Sequence, residues 1–421
     1  MEDSRPLKKI EQAELNQIIR KHVMFRSGRI GGARAILANY DLTKMILAGQ
    51  DLSHADFTGA VLFQADLHDA KLDYAILFAT DLTQANLSGA SLIRADMRGA
   101  SLRGTVLTNA DMTGVDLREG AIAGPDGSVV KHTDHGMKGQ NKPGADLSGA
   151  NMSSAKLSGA IAVNSNFTDT NLKNAKLVRA SLQGSNFTNA TLENADLTMS
   201  DLRQADLKGA VLVNVSMNLT NLENADLSGA LTDKAVGPTI KDLPFPLDEL
   251  LRQHQQWLVT NGKDGLRFDI SGYDLRRAAS FNRAVLTMMR GMKAMLYGLD
   301  FSDSQMQASE FREADLRHVN FMSADLRGTN FRDAKLTSAN MQGAKLQPLK
   351  LGEARALRTD LSNTNLCGVN FAGANLSGVN FTGADLTNAN LIGCETTEAD
   401  FSGAILKDTR MDPGLQAKIA V

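Results

Sequence analysis

Large apolar side chains recur along this chain with a period of five residues. Every fifth position of 37–122 is large and apolar, and the same register resumes over 147–227. A third run extends over 301–411. The positions that break these runs are Ala162, Ala356 and Thr396. Because the three runs cover most of the chain, the pattern predicts a repeat protein.

A period of five excludes a simple helix or strand as the repeating unit. A helix would carry the stripe around its surface, and a strand would alternate it between two faces. A small residue usually stands two positions before the large one, often with Asp or Asn between, as in Ala55-Asp56-Phe57. If each pentad forms one side of a coil, the small and large residues point to a common axis with little free room. The other positions then point outward and vary freely.

The pattern Ala-Asp-Leu followed by two variable residues, as at Ala145-Asp146-Leu147 and Ala324-Asp325-Leu326, resembles the pentapeptide-repeat proteins. The resemblance implies a right-handed quadrilateral β-helix with four pentads in each coil. We therefore predict an all-β solenoid with helical caps, in two repeat modules that are each preceded by an α-helix. The expected segments are a capping helix and loop at 1–36, a first module at 37–231, a linker at 232–300, and a second module with a short tail at 301–421.

Two amphipathic segments precede the modules and match each other in spacing. Each is followed by a glycine and then by Tyr-Asp-Leu. This similarity predicts an internal duplication, in which a helix caps the open end of each β-helix, the second at about 247–260. His22 and His254 lie on the apolar stripes and are expected to be hydrogen-bonded structural residues. The matching positions are Leu15, Ile18, Ile19, His22 and Phe25, and Leu247, Leu250, Leu251, His254 and Trp257.

Residues 280–297 carry the most distinctive pattern outside the repeats. Placed on a helix, their apolar side chains form one stripe and Arg283, Arg290 and Lys293 lie opposite. Pentad spacing also persists here, but Gly291 fits a pentad interior poorly. We therefore predict a basic amphipathic helix at 280–297.

This segment is also the predicted contact site. Residues 276–299 contain five basic residues and no acidic one. Adaptable methionines with a basic flank suit the groove of a partner protein or an anionic, peripheral membrane surface. The alternative is a helix that packs along the β-helix wall and exposes its basic side to water. The candidate partner-binding residues are Arg276, Arg277, Arg283, Met288, Arg290, Met292 and Lys293.

A loop insertion is predicted at 123–143, inside the first module. The step from Ile122 to Leu147 is a whole number of pentads, so the insertion preserves the register. The loop lacks the four ligands of a structural zinc site, which favours a polar loop over a metal centre. Its candidate contact residues are Lys131, His132, Asp134 and His135.

Composition narrows the class of protein. Hydrophobic residues make up 43% of the chain but aromatic ones only 5%, so the core must come from Leu, Ala, Met and Phe. The net charge of −2 offers no global attraction for nucleic acid, and direct nucleic-acid binding is not expected. Two cysteines and a charged amino terminus without an apolar core predict a cytoplasmic protein.

The function predicted from these features is a non-catalytic protein-binding scaffold or adaptor. No phosphate-binding loop, metal motif or nucleophile–base pair is evident, so neither enzyme chemistry nor a cofactor is expected. The partner would be another protein, and a homodimer through the carboxyl end is open. The alternative is a DNA mimic that binds a type II topoisomerase such as DNA gyrase. Residues 51–250 carry a net charge of −8, but their Asp residues are spread over all four predicted faces.

Overall fold

The computed structural model divides the chain into two compact units, Met1–Asp233 and Lys234–Val421. No helix in the part of the chain that it describes is long and apolar enough to cross a bilayer. Side chains are not described at 122–123, 129–130 and 418–419. The described residues are 7–120, 122–123, 129–130, 144–276, 278, 280–352 and 355–419.

The first unit is a β-helix in which each coil contains four pentads. Ile36 pairs in parallel with Asp56, and Asp56 with Ile76, and the same four-pentad step continues along the unit. We call residues 36–231 the first β-helix. Central leucines such as Leu72 and Leu177 are fully buried, as are Ala70 and Ala175 two positions earlier. The predicted four-sided coil is therefore what the backbone forms.

The insertion leaves the stacking of the first β-helix intact. Ser101 pairs with Asp146, so the step across the insertion is one coil plus a whole number of extra pentads. Within the insertion, β3 (Ile122–Ala123) pairs antiparallel with β4 (Val129–Val130). The candidate contact residues Lys131, His132, Asp134 and His135 lie outside the described residues.

The second unit forms a second β-helix, residues 269–410, which begins earlier than predicted. Asp269 pairs with Arg290, and from Val285 onward the step is again four pentads. Residues 280–297 are therefore coils of the repeat, and the predicted amphipathic helix is wrong. Backbone hydrogen bonds to the next coil replace helical ones, as from Leu286 N to Gln305 O at 2.7 Å.

The physical reason lies in how Gly291 packs. A Cβ at this position would lie 2.9 Å from Cε1 of Phe311, the equivalent residue one coil later. The Phe311 ring thus occupies the space that the missing side chain leaves. Met289, at the usual small position, is fully buried. Large and small residues have exchanged places around one corner, which keeps the interior filled.

A two-pentad insertion also interrupts the second β-helix. Asn330 pairs with Asp360, two pentads beyond the usual step, because β5 (Leu349–Lys350) and β6 (Ala356–Leu357) form an antiparallel hairpin between them. Since the insertion is a whole number of pentads, the sequence register runs through the hairpin unchanged. This explains the weak position at Ala356, which lies outside the coils.

A helix precedes each β-helix, and we call each of these helices with the loop that follows it a cap. Strand β1 (Lys8–Lys9) pairs in parallel with β2 (Tyr40–Asp41), and helix α1 (Gln12–Arg26) follows β1. Helix α2 (Leu247–Val259) follows a 3-10 turn at Ile240–Asp242 and lies where the sequence pattern placed the second capping helix. A third helix, α3 (Pro413–Ile419), falls in the predicted tail and was not anticipated.

Side chains of the caps replace missing backbone partners. The Gln12 amide donates to Ile46 O and accepts from Ile46 N, both at 2.9 Å, as a neighbouring strand would. At the carboxyl ends, Asp233 accepts from Asn214 N at 3.1 Å and Asp412 accepts from Gly393 N at 2.8 Å. These side chains satisfy backbone groups that an open β-helix end would leave unpaired.

Candidate partner-binding surfaces

The predicted contact residues within 280–297 are spread over three sides of the second β-helix. Arg283 belongs to the pentad 279–283 and Met288 to the next one, so they lie on successive sides. Only three of the candidates share a side, in the pentad 289–293. These are Arg290, Met292 and Lys293.

Each exposed cation of this segment lies beside a carboxylate of a neighbouring coil. Arg283 lies 3.9 Å from Asp303. Arg290 lies 3.9 Å from Asp269, and Lys293 lies 3.4 Å from Glu313. The run of basic residues in the sequence is therefore not a basic surface in the fold, because acidic residues one coil away partly neutralise it. Such exposed pairs contribute only about 0–1 kcal/mol each and exchange readily for a partner's carboxylates.

Arg276 has a structural role. Its guanidinium donates to Asp274 at 2.5 Å and to Lys234 O at 3.2 Å, and Asp274 accepts from Val236 N at 3.0 Å. Burial alone would raise the pKa of Asp274, but these hydrogen bonds hold it below its ordinary value. The pair fastens residues 234–236 to the first coil of the second unit. Arg277, the remaining candidate, lies outside the described residues.

The acidic rows of the first β-helix are also neutralised locally. Asp96 and Asp116 stack on one side, as the sequence register predicted. Each pairs at 2.7 Å with the arginine two positions later, Arg98 or Arg118. Asp201, farther along the same side, pairs with the arginine two positions later in the same way. Alternating acid and base along a side does not reproduce the uniform charge of a DNA backbone.

One side of the second β-helix carries a ladder of stacked amides. Each Asn Nδ2 donates to the Oδ1 one coil earlier, beginning with Asn320 to Asp300 at 2.9 Å. The next three Nδ2-to-Oδ1 distances up the ladder are 3.1, 3.3 and 3.0 Å. Each Asn Oδ1 also accepts a backbone N–H two residues later, as from Gln342. The ladder fixes that side, and from Asn320 to Asn390 the outward residues of that side are uncharged. Its upper members are Asn340, Asn370 and Asn390.

The cap histidines are held neutral. Nδ1 of His22 accepts from Ala35 N at 3.0 Å, so Nε2 carries the proton that it donates to Ser53 O at 3.1 Å. Nδ1 of His254 accepts from Phe268 N at 3.0 Å. Burial is the main reason that the pKa of both imidazoles lies below the ordinary value. Both residues are structural, as expected from their position on the apolar stripes.

Two observations bear on chemistry among the described residues. Nowhere in that part of the chain do three His, Cys, Asp or Glu side chains group as metal ligands would. The thiol of Cys394 points inward, and burial raises its pKa to about 11. A thiol so rarely ionised at neutral pH is a poor nucleophile.

A basic and apolar surface on the amino-terminal cap was missed by the sequence reasoning. Ile30 is 99% exposed in the turn that follows α1, and Val23 and Phe25 near the end of α1 are nearly half exposed. Five basic residues and no acidic one fall within 15–40. That one-sided charge was the available signal, and it was passed over because the helix was interpreted only as a cap.

Eight copies of the pentapeptide repeat are found in the chain and together cover more than half of it. The chain belongs to the pentapeptide-repeat family. Its coils therefore form the family's right-handed quadrilateral β-helix. The matched residues are 47–77, 80–118, 143–169, 165–204, 200–231, 314–347, 350–383 and 384–412.

Several solved structures of pentapeptide-repeat proteins also match the chain, all with low TM-scores. HetL, involved in the regulation of heterocyst differentiation in the cyanobacterium Nostoc, is 20% identical over 82% of this chain and 90% of its own, with a TM-score of 0.17. Rfr23 from the cyanobacterium Cyanothece is 30% identical over 33% of this chain and 88% of its own, with a TM-score of 0.13. QnrB1, a plasmid-mediated fluoroquinolone resistance protein, is 16% identical over 48% and 92%, with a TM-score of 0.24. No curated protein matches the chain.

Proposed function

We propose that this protein is a non-catalytic binding scaffold whose β-helix sides present fixed rows of side chains to another protein. The observation that carries the proposal is the stacking of equivalent outward positions, which recur every fourth pentad, one coil apart. With about 4.8 Å between coils, such rows stay in register along a whole side. A partner can therefore be recognised over an extended surface without an enzyme-like cleft.

The contact proposed on the second β-helix is the outward set of pentad 289–293. Lys293 and Arg290 keep 68% and 48% of their side chains exposed. Their long ion pairs to Glu313 and Asp269 are weak enough to be replaced by acidic groups of a partner. Met292, on the same side, adds an adaptable apolar contact.

Crosslinking followed by mass spectrometry in the native host tests the scaffold. The test variant is the double substitution Arg290→Glu and Lys293→Glu. The control is Lys176→Glu with Arg179→Glu, which reverses two exposed cations at the same pentad positions of the first β-helix. We expect a defined partner with wild type and control, and its loss with the test variant.

Two outcomes would contradict this assignment. Equal recovery of the partner by all three proteins would remove pentad 289–293 from the contact. Recovery of gyrase subunits, together with inhibition of supercoiling by the purified protein, would replace the scaffold with the DNA-mimic function. Absence of inhibition removes that alternative.

A further inference from the structure

The cap of the first β-helix ends in a tight apolar turn. Gly32 N donates to Arg29 O at 3.2 Å, which closes a four-residue turn with Ile30 at its tip. Gly31 takes the left-handed conformation, with φ of +86°, that this turn requires. Ile30 is thus held outward by the backbone, with 99% of its surface in water.

The turn is fixed to the helix that carries it. Arg29 N donates to Met24 O at 2.9 Å, and Ala33 N donates to Lys21 O at 3.0 Å. Gly32 lies so close to Phe25 N that a Cβ would be 2.2 Å away. The loop therefore lies against the outer side of α1, and the exposed Phe25 and Ile30 belong to one rigid protrusion.

The helix and turn that form this protrusion also carry cations. Arg20, Lys21 and Arg29 are exposed, and no carboxylate of the described residues forms an ion pair with them. Arg26 lies 3.9 Å from Asp51 and is partly neutralised, as Arg283 and Arg290 are, and Arg34 donates to the carbonyl of His54. A group of cations without ion pairs, here called the basic rim, on the same helix and turn as exposed apolar side chains is an arrangement found in proteins that bind an anionic bilayer.

The second cap provides an internal comparison. It shares the helix, the histidine bond and the glycine turn, but its matching residues 247–273 contain three basic and four acidic residues. Arg252 donates to Glu249 at 2.6 Å, which lowers the pKa of Glu249 to about 2. The tip of its loop is Lys263-Asp264 in place of an exposed isoleucine. Capping a β-helix therefore requires neither the basic rim nor the apolar tip.

We propose that the amino-terminal cap docks on an anionic phospholipid surface, with Ile30 and Phe25 inserted among the headgroups and Arg20, Lys21 and Arg29 against the phosphates. An anionic bilayer fits both features at once, since it offers phosphates to the cations and an apolar boundary to the exposed Ile30. Docking here is independent of the protein contact at pentad 289–293, so either can fail without the other.

Sedimentation of the full-length protein with vesicles tests the proposal. The vesicles are phosphatidylcholine alone, and phosphatidylcholine mixed with an equal share of phosphatidylglycerol. We expect binding only to the mixed vesicles, weakened by added salt. Ile30→Ser and Arg29→Glu should each lower the binding constant about fivefold or more. The matched controls Val259→Ser, at a position 81% exposed, and Lys263→Glu should change it less than about twofold.

Entry of the Ile30 tip into the bilayer can be measured separately from vesicle binding. In a Trp257→Phe background, Ile30→Trp places the only indole at the tip. Its fluorescence should shift to the blue with mixed vesicles and stay unchanged with phosphatidylcholine alone. The proposal is overturned if wild type does not sediment with mixed vesicles, if Ile30→Ser binds as wild type, if the controls lose binding equally, or if the indole does not shift. Binding to an acidic protein without vesicle binding also overturns it.

Discussion

The two β-helices use the same coil but fill it differently. In the first, leucine holds most central positions, and among the described central positions one pair of phenylalanines stacks, Phe167 on Phe187 at 4.6 Å. In the second, phenylalanines stack coil upon coil, as Phe281, Phe301 and Phe321 do at 4.9 and 5.5 Å. The difference shows that the coil constrains the filled volume of each layer more tightly than the residue at any one position.

Truncating one central residue in each β-helix gives the largest expected effect. Phe321→Ala removes a ring stacked between coils and should lower the free energy of unfolding by about 3–5 kcal/mol. Leu177→Ala in the first β-helix should cost about 2–5 kcal/mol. Hydrogen exchange should show each loss of protection within the substituted β-helix. Losses spread equally over both would contradict the view that each has its own core.

Restoring a large residue at Gly291 should destabilise the protein in spite of conforming to the repeat. Gly291→Leu competes with the Phe311 ring and should cost about 1–3 kcal/mol. Adding Phe311→Leu should recover most of that loss, because the layer then holds two leucines. Urea denaturation measures the free energy of unfolding of the single and the double variant. If the double variant is no more stable than Gly291→Leu alone, the exchange of volumes between these coils is not the reason for the glycine.

The amide ladder distinguishes the second β-helix at its surface. Asn340→Asp replaces the donor to Asn320 with a second acceptor and should cost about 1–3 kcal/mol at neutral pH. Below about pH 4 the new carboxyl is protonated and can donate, so the loss should shrink. Thermal melting at both pH values, with wild type as control, measures this. A loss independent of pH would point to packing instead.

The caps should respond to pH alike, since both β-helices use the same histidine bond. His22 and His254 have a lowered pKa when folded, so the unfolded chain binds protons first as the pH falls below about 6.5. Stability should be complete above that pH and decrease by up to about 1.4 kcal/mol per pH unit for each histidine. Urea midpoints between about pH 7.5 and 5.5 test this against His22→Gln and His254→Gln, which should each flatten the slope.

The periodic parts of the fold could be predicted, because each pentad repeats the same local requirement. The buried positions, the sides on which Asp96 and Asp116 lie, and the cap histidines all follow from spacing along the chain. The hairpin β5–β6 was not predicted, because an insertion of two whole pentads leaves the five-residue register unchanged. Helix α3 was not predicted, because a short helix after the last pentad has no periodic pattern in the sequence.

The wrong prediction of a helix at 280–297 has a different origin. Its Met and basic residues satisfy a helical pattern as well as a five-residue one, and nothing within the segment decides between them. The deciding contacts, Gly291 with Phe311 and Lys293 with Glu313, join equivalent positions of successive coils. Because the neutralising carboxylates lie about twenty residues away in the sequence, the segment alone did not show that its basic charge is partly neutralised.

The sequence by itself determined the repeat, its inward residues and the duplicated caps, since these are set by spacing within a few residues. Only the tertiary structure decided which charges stay uncompensated and which apolar residues stay in water. Coil stacking brings acids beside the cations of 280–297, while the loop after α1 turns Ile30 outward and Arg20, Lys21 and Arg29 form no ion pair in the described part of the chain. Surface character depends on neighbours one coil away, and that proximity exists only in the folded chain.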